Sequence, residues 1–179
     1  MTLNEIVVAA LTQEERGQDA QVVEKYNDKF RQYANEAVLD LAKSMRVYRT
    51  DTVTAENNVF DLSQLSRSCA KILSVTQGGK SVTFDTGDAS GEVLVGCDGL
   101  VRVKYEYIPP ELASDTDSPD LPEHFHPLIV MYVLARYRSS GDASAQGGSG
   151  VYFQLYNQYK RSLVQRIGTP GQYALTNIY

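Results

Sequence analysis

The chain has 179 residues, of which 42% are hydrophobic and 22% charged, and its formal net charge is −5. This composition is typical of one globular domain and excludes a chain that is disordered throughout. No apolar run reaches the length of a membrane span, and Asn4 and Glu5 interrupt the first apolar segment too early for a signal peptide, so we expect a cytosolic product without membrane contact.

Residues 1–49 are predicted to form two helices of a bundle. Thr2 and Glu5 have the spacing of a capping box, which predicts a short helix over residues 3–12. Residues 21–47 carry the strongest helical pattern, a wide apolar stripe that predicts burial against the first helix and the C-terminal helices. The stripe contains Val22, Tyr26, Phe30, Tyr33, Ala37, Leu41 and Met45. The opposite face, expected to be solvated, carries Lys25, Asp28, Lys29, Arg31, Glu36 and Lys43.

Residues 50–110 change to the two-residue period of strands, which predicts a small antiparallel sheet or partly open barrel inserted between helices. Asn57-Asn58 and Gly78-Gly79 are predicted turns, because these residues accept turn conformations at little cost. Asp98-Gly99 is the predicted turn between strands 92–97 and 100–107. Apolar and charged residues alternate along the second of these strands, so one of its faces is expected to be wet.

The remaining segments complete an α+β fold with one structural domain. Residues 111–120 form an acidic linker that we expect to be loop-like and mobile. Residues 121–168 are predicted to form an αα-hairpin, with regular helix only from His126 because Pro127 lacks an amide hydrogen. Residues 169–179 are predicted to be an extended tail that either folds back onto its own sheet or pairs with a strand of another subunit.

Charge is unevenly distributed along the chain. Residues 51–123 carry thirteen Asp and Glu against five Lys and Arg, whereas residues 124–179 carry one acidic residue against five basic ones. Arg136, Arg138 and Arg166 lie towards the C-terminal parts of the two predicted helices, where the helix dipole favours cations. Docking of one copy or one partner against the next is an equally simple explanation.

No catalytic, cofactor or metal site is predicted. His124 and His126 lack an identifiable third metal ligand, and we expect a polar helix start in which one ring caps backbone groups. Cys69 and Cys97 lack the paired spacing of a zinc site and are expected to be buried free thiols. The sequence also lacks a phosphate-binding glycine loop, a nucleophile elbow and a basic-aromatic platform for reading bases.

The segment Leu-Pro-Glu-His-Phe-His-Pro-Leu-Ile-Val-Met-Tyr-Val-Leu-Ala-Arg-Tyr at 121–137, followed by Gly-Asp-Ala at 141–143 and Tyr-Phe-Gln-Leu-Tyr at 152–156, resembles the head-to-tail adaptor (connector or neck) proteins of tailed bacteriophages. The order of helices and strands is similar to theirs as well. The Gly-Gly-Ser-Gly stretch at 147–150 departs from the shorter loop of that family.

The resemblance implies a structural virion protein, assembled in the host cytoplasm and located in the neck between capsid and tail. It implies a ring, usually of twelve copies, that sits under the portal protein, extends the DNA channel and docks a downstream stopper or tail protein. DNA would pass through the lumen without sequence-specific binding. The residues expected to bind the portal or a neighbouring subunit are Tyr173, Leu175, Ile178, Tyr179, Arg136, Arg138 and Arg166.

Three alternatives stay open at this stage. The first is a tail-completion or stopper protein of the neck. The second is a small-ligand-binding module with its pocket in the β insert. The third is a hydrolase that depends on His124 or His126.

Overall fold

The computed structural model of the protein describes residues 1–14, 20–86, 91–139 and 149–167, and the side chains of the last helix as far as Leu163. Within these ranges the chain is a mixed α+β fold in which antiparallel sheets are inserted between helices, as predicted. The predicted tail, residues 169–179, lies outside the described residues.

Four helices form the bundle. They are α1 (Leu3–Gln13), α2 (Ala20–Met45), α3 (His126–Ser139) and α4 (Ser149–Ile167). The capping box of α1 is present, with the Glu5 amide donating to the Thr2 hydroxyl and the Thr2 amide donating to the Glu5 carboxylate. A single 3-10 turn, Glu123–Phe125, precedes α3, so regular helix begins at His126 as Pro127 requires.

The insert contains seven described strands in two sheets. They are β1 (Tyr48–Ala55), β2 (Val59–Asp61), β3 (Cys69–Gln77), β4 (Lys80–Val82), β5 (Phe84–Asp85), β6 (Glu92–Val95) and β7 (Gly99–Tyr107). A four-stranded sheet has the order β1-β7-β3-β4, and a three-stranded sheet has the order β2-β6-β5. Two of the three predicted turns, Asn57-Asn58 and Gly78-Gly79, are confirmed, and all four of their residues have positive φ.

The expected hairpin across Asp98-Gly99 is wrong. β6 pairs with β2 and β5, whereas β7 pairs with β1 and β3, so the two strands belong to different sheets. The Asp98 carboxylate accepts a hydrogen bond from the Asn58 amide and its carbonyl accepts one from the Gln77 side chain. The segment is therefore a crossover that ties the two sheets together.

Two separate hydrophobic cores are buried among the described residues. The bundle core contains the predicted stripe of α2 and the inner residues of α1, α3 and α4, including an aromatic cluster of Tyr26, Phe30 and Tyr137 with ring centres 5.4–5.8 Å apart. The sheet core contains Phe60 and Tyr105 together with valines of both sheets. Because the cores share no residue, the helices and the sheets each bury their own apolar surface.

Few polar contacts join the sheets to the rest of the chain. The Arg67 guanidinium lies 2.9 Å from the Asp120 carboxylate, and the Tyr107 hydroxyl donates to the Asp120 carbonyl. At the other crossing, the Tyr107 amide donates to the Val47 carbonyl. Arg46, which connects α2 to β1, adopts a φ of 50°, a conformation that costs energy for a residue with a side chain.

The acidic linker 111–120 is loop-like, but the structure does not support the expectation that it is mobile. The amide of Leu3 donates to the Asp117 carbonyl at 2.8 Å, so the linker provides a partner for a free N–H of the first turn of α1. Leu112 exchanges two hydrogen bonds with the Asn35 side chain of α2. The linker is thus held against the two N-terminal helices.

Candidate partner-binding surfaces

Arg136, one of the predicted partner-binding residues, lies on α3 facing α2. Its Nε atom donates to the Glu36 carboxylate at 2.9 Å, and its guanidinium lies over the Tyr33 ring. The expectation that Glu36 is simply solvated is wrong, because its side chain is partly buried and paired. The pKa of Arg136 is raised, chiefly by the hydrogen bond to Glu36. With 41% of its side chain exposed, Arg136 remains reachable from outside.

Arg138 is more buried than Arg136 and is paired within the chain. It donates to the Glu14 carboxylate at 2.6 Å, and the exposed fractions of the two side chains are 20% and 7%. Its guanidinium also lies 4.4 Å from the centre of the Tyr152 ring on α4. Arg138 therefore connects α3 to the end of α1 and to α4. Binding of a partner by either arginine stays a prediction.

The other predicted partner-binding residues cannot be placed. Tyr173, Leu175, Ile178 and Tyr179 lie outside the described residues, as does the side chain of Arg166. The backbone of Arg166 belongs to the last turn of α4.

The outward face of α4 presents an apolar stripe beside polar residues, and we name it the helix patch. Its apolar members, Val151, Leu155 and Tyr159, follow one another at a spacing of four, with 57% of Val151 and 52% of Tyr159 exposed. Beside them, the helix exposes the amide side chains of Gln154, Asn157 and Gln158 and the guanidinium of Arg161. No Asp or Glu occurs between residues 149 and 167, so the patch carries only positive charge.

The outer face of the three-stranded sheet has the opposite charge, and we name it the sheet patch. Val59 and Leu94 are directly paired across β2 and β6, and 52% of Leu94 is exposed. Asp61 and Glu92 form the next pair, and Asp85 lies opposite Leu94 on β5. These strands contain no Lys or Arg. The sheet patch is therefore an apolar centre framed by carboxylates.

The outer face of the four-stranded sheet is mixed in character. Arg102, Lys104 and Glu106 on β7 alternate with buried residues, which confirms the predicted wet face. Lys104 lies 4.1 Å from the centre of the exposed Tyr48 ring, and 67% of Leu100 is exposed. Opposite charges and threonines separate the apolar groups here, so this face lacks the single sign of charge that marks the other two surfaces.

His126 is a structural residue. Its ring is buried, with Nε2 3.2 Å from the Leu121 carbonyl and Nδ1 2.9 Å from the amino group of Met1. This is the backbone-capping arrangement expected from the sequence. Burial lowers the pKa of His126, so the ring is neutral at physiological pH. His124 is exposed and packs on the ring of Phe125.

Cys69 and Cys97 are free thiols, as predicted. They are only partly buried, so the prediction that they lie in the core is wrong. Burial raises the pKa of the Cys69 thiol, which makes it less reactive. Within the described ranges, no group of three or more His, Cys, Asp or Glu side chains is arranged to hold a metal ion.

Comparison with known protein families matches residues 74–174 to the family described as SU10 adaptor protein. The match begins within β3, continues through the rest of the insert, the acidic linker 111–120 and the helical hairpin, and covers more than half of the chain. The chain belongs to this family. The adaptor is thus a structural protein of a phage virion and has no enzymatic role. The resemblance detected in residues 121–156 is confirmed. Among curated proteins, none matches the chain.

No described helix of the adaptor is both long enough and apolar enough to cross a membrane. Sequence reasoning found the helix that carries the helix patch but missed the sheet patch. The alternation of apolar and polar residues within β6 can be seen in the sequence. The pairing of Asp61 with Glu92 cannot, because it depends on the register between β2 and β6, and these two residues are 31 positions apart.

Proposed function

We propose that the adaptor assembles into a closed ring, of twelve copies, that sits under the portal protein in the neck of the virion. The ring extends the DNA channel and offers its opposite side to a stopper or tail protein. The observation that carries the proposal is the presence of two different exposed apolar surfaces on one chain, the helix patch and the sheet patch. A ring needs two such surfaces because each subunit contacts both of its neighbours.

The charge of the insert supports passage of DNA through the lumen. Residues 51–123 carry an excess of carboxylates, and several of them outside the sheet patch, such as Asp98, Glu111 and Glu123, are exposed. Carboxylates repel phosphates, so DNA moves past such a surface without the strong backbone contacts that Lys and Arg make. Sequence-specific binding is not part of the proposal.

Contact with the portal is assigned to the tail and to the basic side of the bundle. Tyr173, Leu175, Ile178 and Tyr179 give the tail alternating apolar anchors, which suits addition to a sheet edge of a partner. Arg136 and Arg166 supply positive charge for an acidic partner surface.

Electron microscopy of the purified adaptor, alone and mixed with its portal protein, tests the proposal. We expect closed rings with a central channel, stacked coaxially on the portal. The tail protein or stopper should add only to the side of the ring opposite the portal. A chain that remains monomeric in both samples and does not bind the portal would contradict the proposal.

A further inference from the structure

The helix patch and the sheet patch have complementary character. Each contains apolar residues that are more than half exposed, Val151 and Tyr159 on the helix and Leu94 on the sheet. The helix patch is free of carboxylates, and the strands of the sheet patch are free of Lys and Arg. Apolar centres of this kind, bordered by charge, are typical of surfaces that bind protein.

We propose that α4 of one copy docks on the outer face of the three-stranded sheet of the next copy, and that this contact joins neighbouring subunits. The inference rests on the proposed ring and specifies which surfaces close it. Its occupant is a second copy of this chain.

Charge decides the pairing of the patches. Two helix patches facing each other would bring together the guanidinium groups of Arg161, and two sheet patches would bring together Asp61, Asp85 and Glu92. Like charges across an interface are unfavourable, and opposite charges select the register. Docking of a helix patch on a sheet patch is the only pairing of these two surfaces that avoids repulsion between like charges. This pairing arranges the subunits head to tail.

Negative charge is concentrated at one end of the sheet patch. Asp61 and Glu92 lie directly opposite each other on β2 and β6, and like charges at such positions destabilise a sheet. Hydrogen bonds from the Ser63 side chain and from the Ser63 amide, which lies 2.6 Å from the carboxylate, lower the pKa of Asp61, so the carboxylate stays ionised.

Shape agrees with charge. An open groove of about 370 Å³ borders the sheet patch and is lined by Thr54, Phe60 and Gln64 as well as by Asp61 and Glu92. The lining combines the apolar Val59 and Phe60 with polar side chains, a mixture suited to an aromatic side chain with a polar end. Tyr159, the exposed aromatic residue of the helix patch, has this character.

Arg161 is the cation expected to meet the carboxylates. The neighbouring Lys160 is not available, since its Nζ atom lies 2.7 Å from Asp40 of the same chain and only 17% of its side chain is exposed. Arg161 is exposed and lies two residues beyond Tyr159, about 200° around the helix, so it meets the sheet on the other flank of the patch, on the side of Asp85 when Tyr159 faces β2.

A mixing experiment with two variants tests the pairing. Tyr159→Asp spoils only the helix patch, and Leu94→Asp spoils only the sheet patch. We expect neither variant to form rings. An equimolar mixture should give a 1:1 heterodimer that grows no further, because one intact helix patch meets one intact sheet patch and the two remaining patches each carry a carboxylate in place of an apolar side chain. Native mass spectrometry, with one variant isotopically labelled, measures the composition of the species.

Matched controls carry the same substitutions on the four-stranded sheet, Tyr48→Asp and Leu100→Asp, and should form rings as the original protein does. Circular dichroism checks that each variant is folded. If either patch variant is misfolded, Arg161→Glu replaces the first and Leu94→Ser the second, with the same expected result. The samples are measured with and without the portal protein.

Rings formed by either patch variant would overturn this inference but leave the proposed ring intact. The same conclusion would follow if the original protein formed rings and the mixture contained no heterodimer. Failure of the original protein to form rings, even with the portal, would instead contradict the proposed function. A 1:1 heterodimer in the mixture would support the inference in either case.

Discussion

The hydroxyl of Tyr156 on α4 donates a hydrogen bond to the carboxylate of Asp40 on α2, and Lys160 donates to the same carboxylate oxygen. Tyr156 is buried, and burial together with Asp40 raises the pKa of its phenol far above the usual range. One carboxylate of α2 therefore fixes two consecutive turns of α4. This attachment positions the helix that carries the helix patch.

Removing the phenolic hydroxyl should loosen α4. We expect Tyr156→Phe to lower the free energy of unfolding by about 1–2 kcal/mol, because a hydrogen bond to a charged group is lost while the ring stays packed. Asp40→Ala should cost more, since it leaves the buried hydroxyl without an acceptor and Lys160 without its carboxylate. Urea denaturation measures both. Equal stability of Tyr156→Phe and the original protein would show that Lys160 alone holds the contact.

The two arginines of α3 should differ in their effect on stability. Arg138→Ala leaves the nearly buried Glu14 unpaired and removes the contact with Tyr152, and we expect a loss of about 2–4 kcal/mol. Arg136→Ala breaks a more exposed pair with Glu36 and should cost about 0–1 kcal/mol. Thermal or urea unfolding of the two variants checks the order. Arg136→Ala is consequently the better variant for testing portal binding.

Stability should fall below neutral pH in part because of His126. Burial holds the pKa of this ring below its unfolded value of about 6.5. The folded state therefore binds fewer protons than the unfolded state as the pH falls through 6.5, and stability is lost down to the folded-state pKa. Urea denaturation at a series of pH values should show a steeper loss in the original protein than in His126→Gln. Parallel curves for the two proteins would refute the assignment.

The ion pair of Arg67 with Asp120 should govern how firmly the sheets are held to the bundle. Arg67→Ala is expected to increase hydrogen exchange at the amides of residues 107–121 without changing the secondary structure. Arg102→Ala, which removes an exposed arginine from the outer face of β7, serves as the matched control and should leave exchange there unchanged. Equal exchange in both variants would mean that the crossing is held by its backbone hydrogen bonds alone.

Deletion of residues 172–179 should abolish attachment to the portal while rings still form. The tail residues Tyr173, Leu175, Ile178 and Tyr179 are assigned to the portal contact, whereas the helix patch and the sheet patch are assigned to the ring. Co-sedimentation with portal particles, together with electron microscopy of the truncated adaptor, separates the two roles. Portal binding by the truncated chain would remove the tail from the proposal.

The helices were predictable because their signals are local. The stripe on α2, the capping box of α1 and the delay imposed by Pro127 depend on residues within a few turns of one another. Two turns of the insert were predictable for the same reason, since Asn57-Asn58 and Gly78-Gly79 accept positive φ.

The errors all depend on contacts that are distant in the sequence. Asp98-Gly99 has a good hairpin sequence, but β7 pairs along its length with both β1 and β3 and is thereby drawn away from β6. The linker was expected to be mobile because its composition is polar, whereas its order comes from Asn35 and from the first turn of α1. The charge pattern indicated a basic C-terminal region but not that Arg138 is paired within the chain.

The separation of the two cores has a mechanical consequence for the assembly. If α4 of each subunit docks on the three-stranded sheet of its neighbour, every helical bundle contacts the sheet of the neighbouring subunit. The bundle is connected to its own sheets through residues 46–48 and 107–121. Around the ring, these connections then alternate with the interfaces between subunits, and both carry any force applied along the channel axis. The wall of such a ring can flex at regular intervals while each packed core keeps its shape.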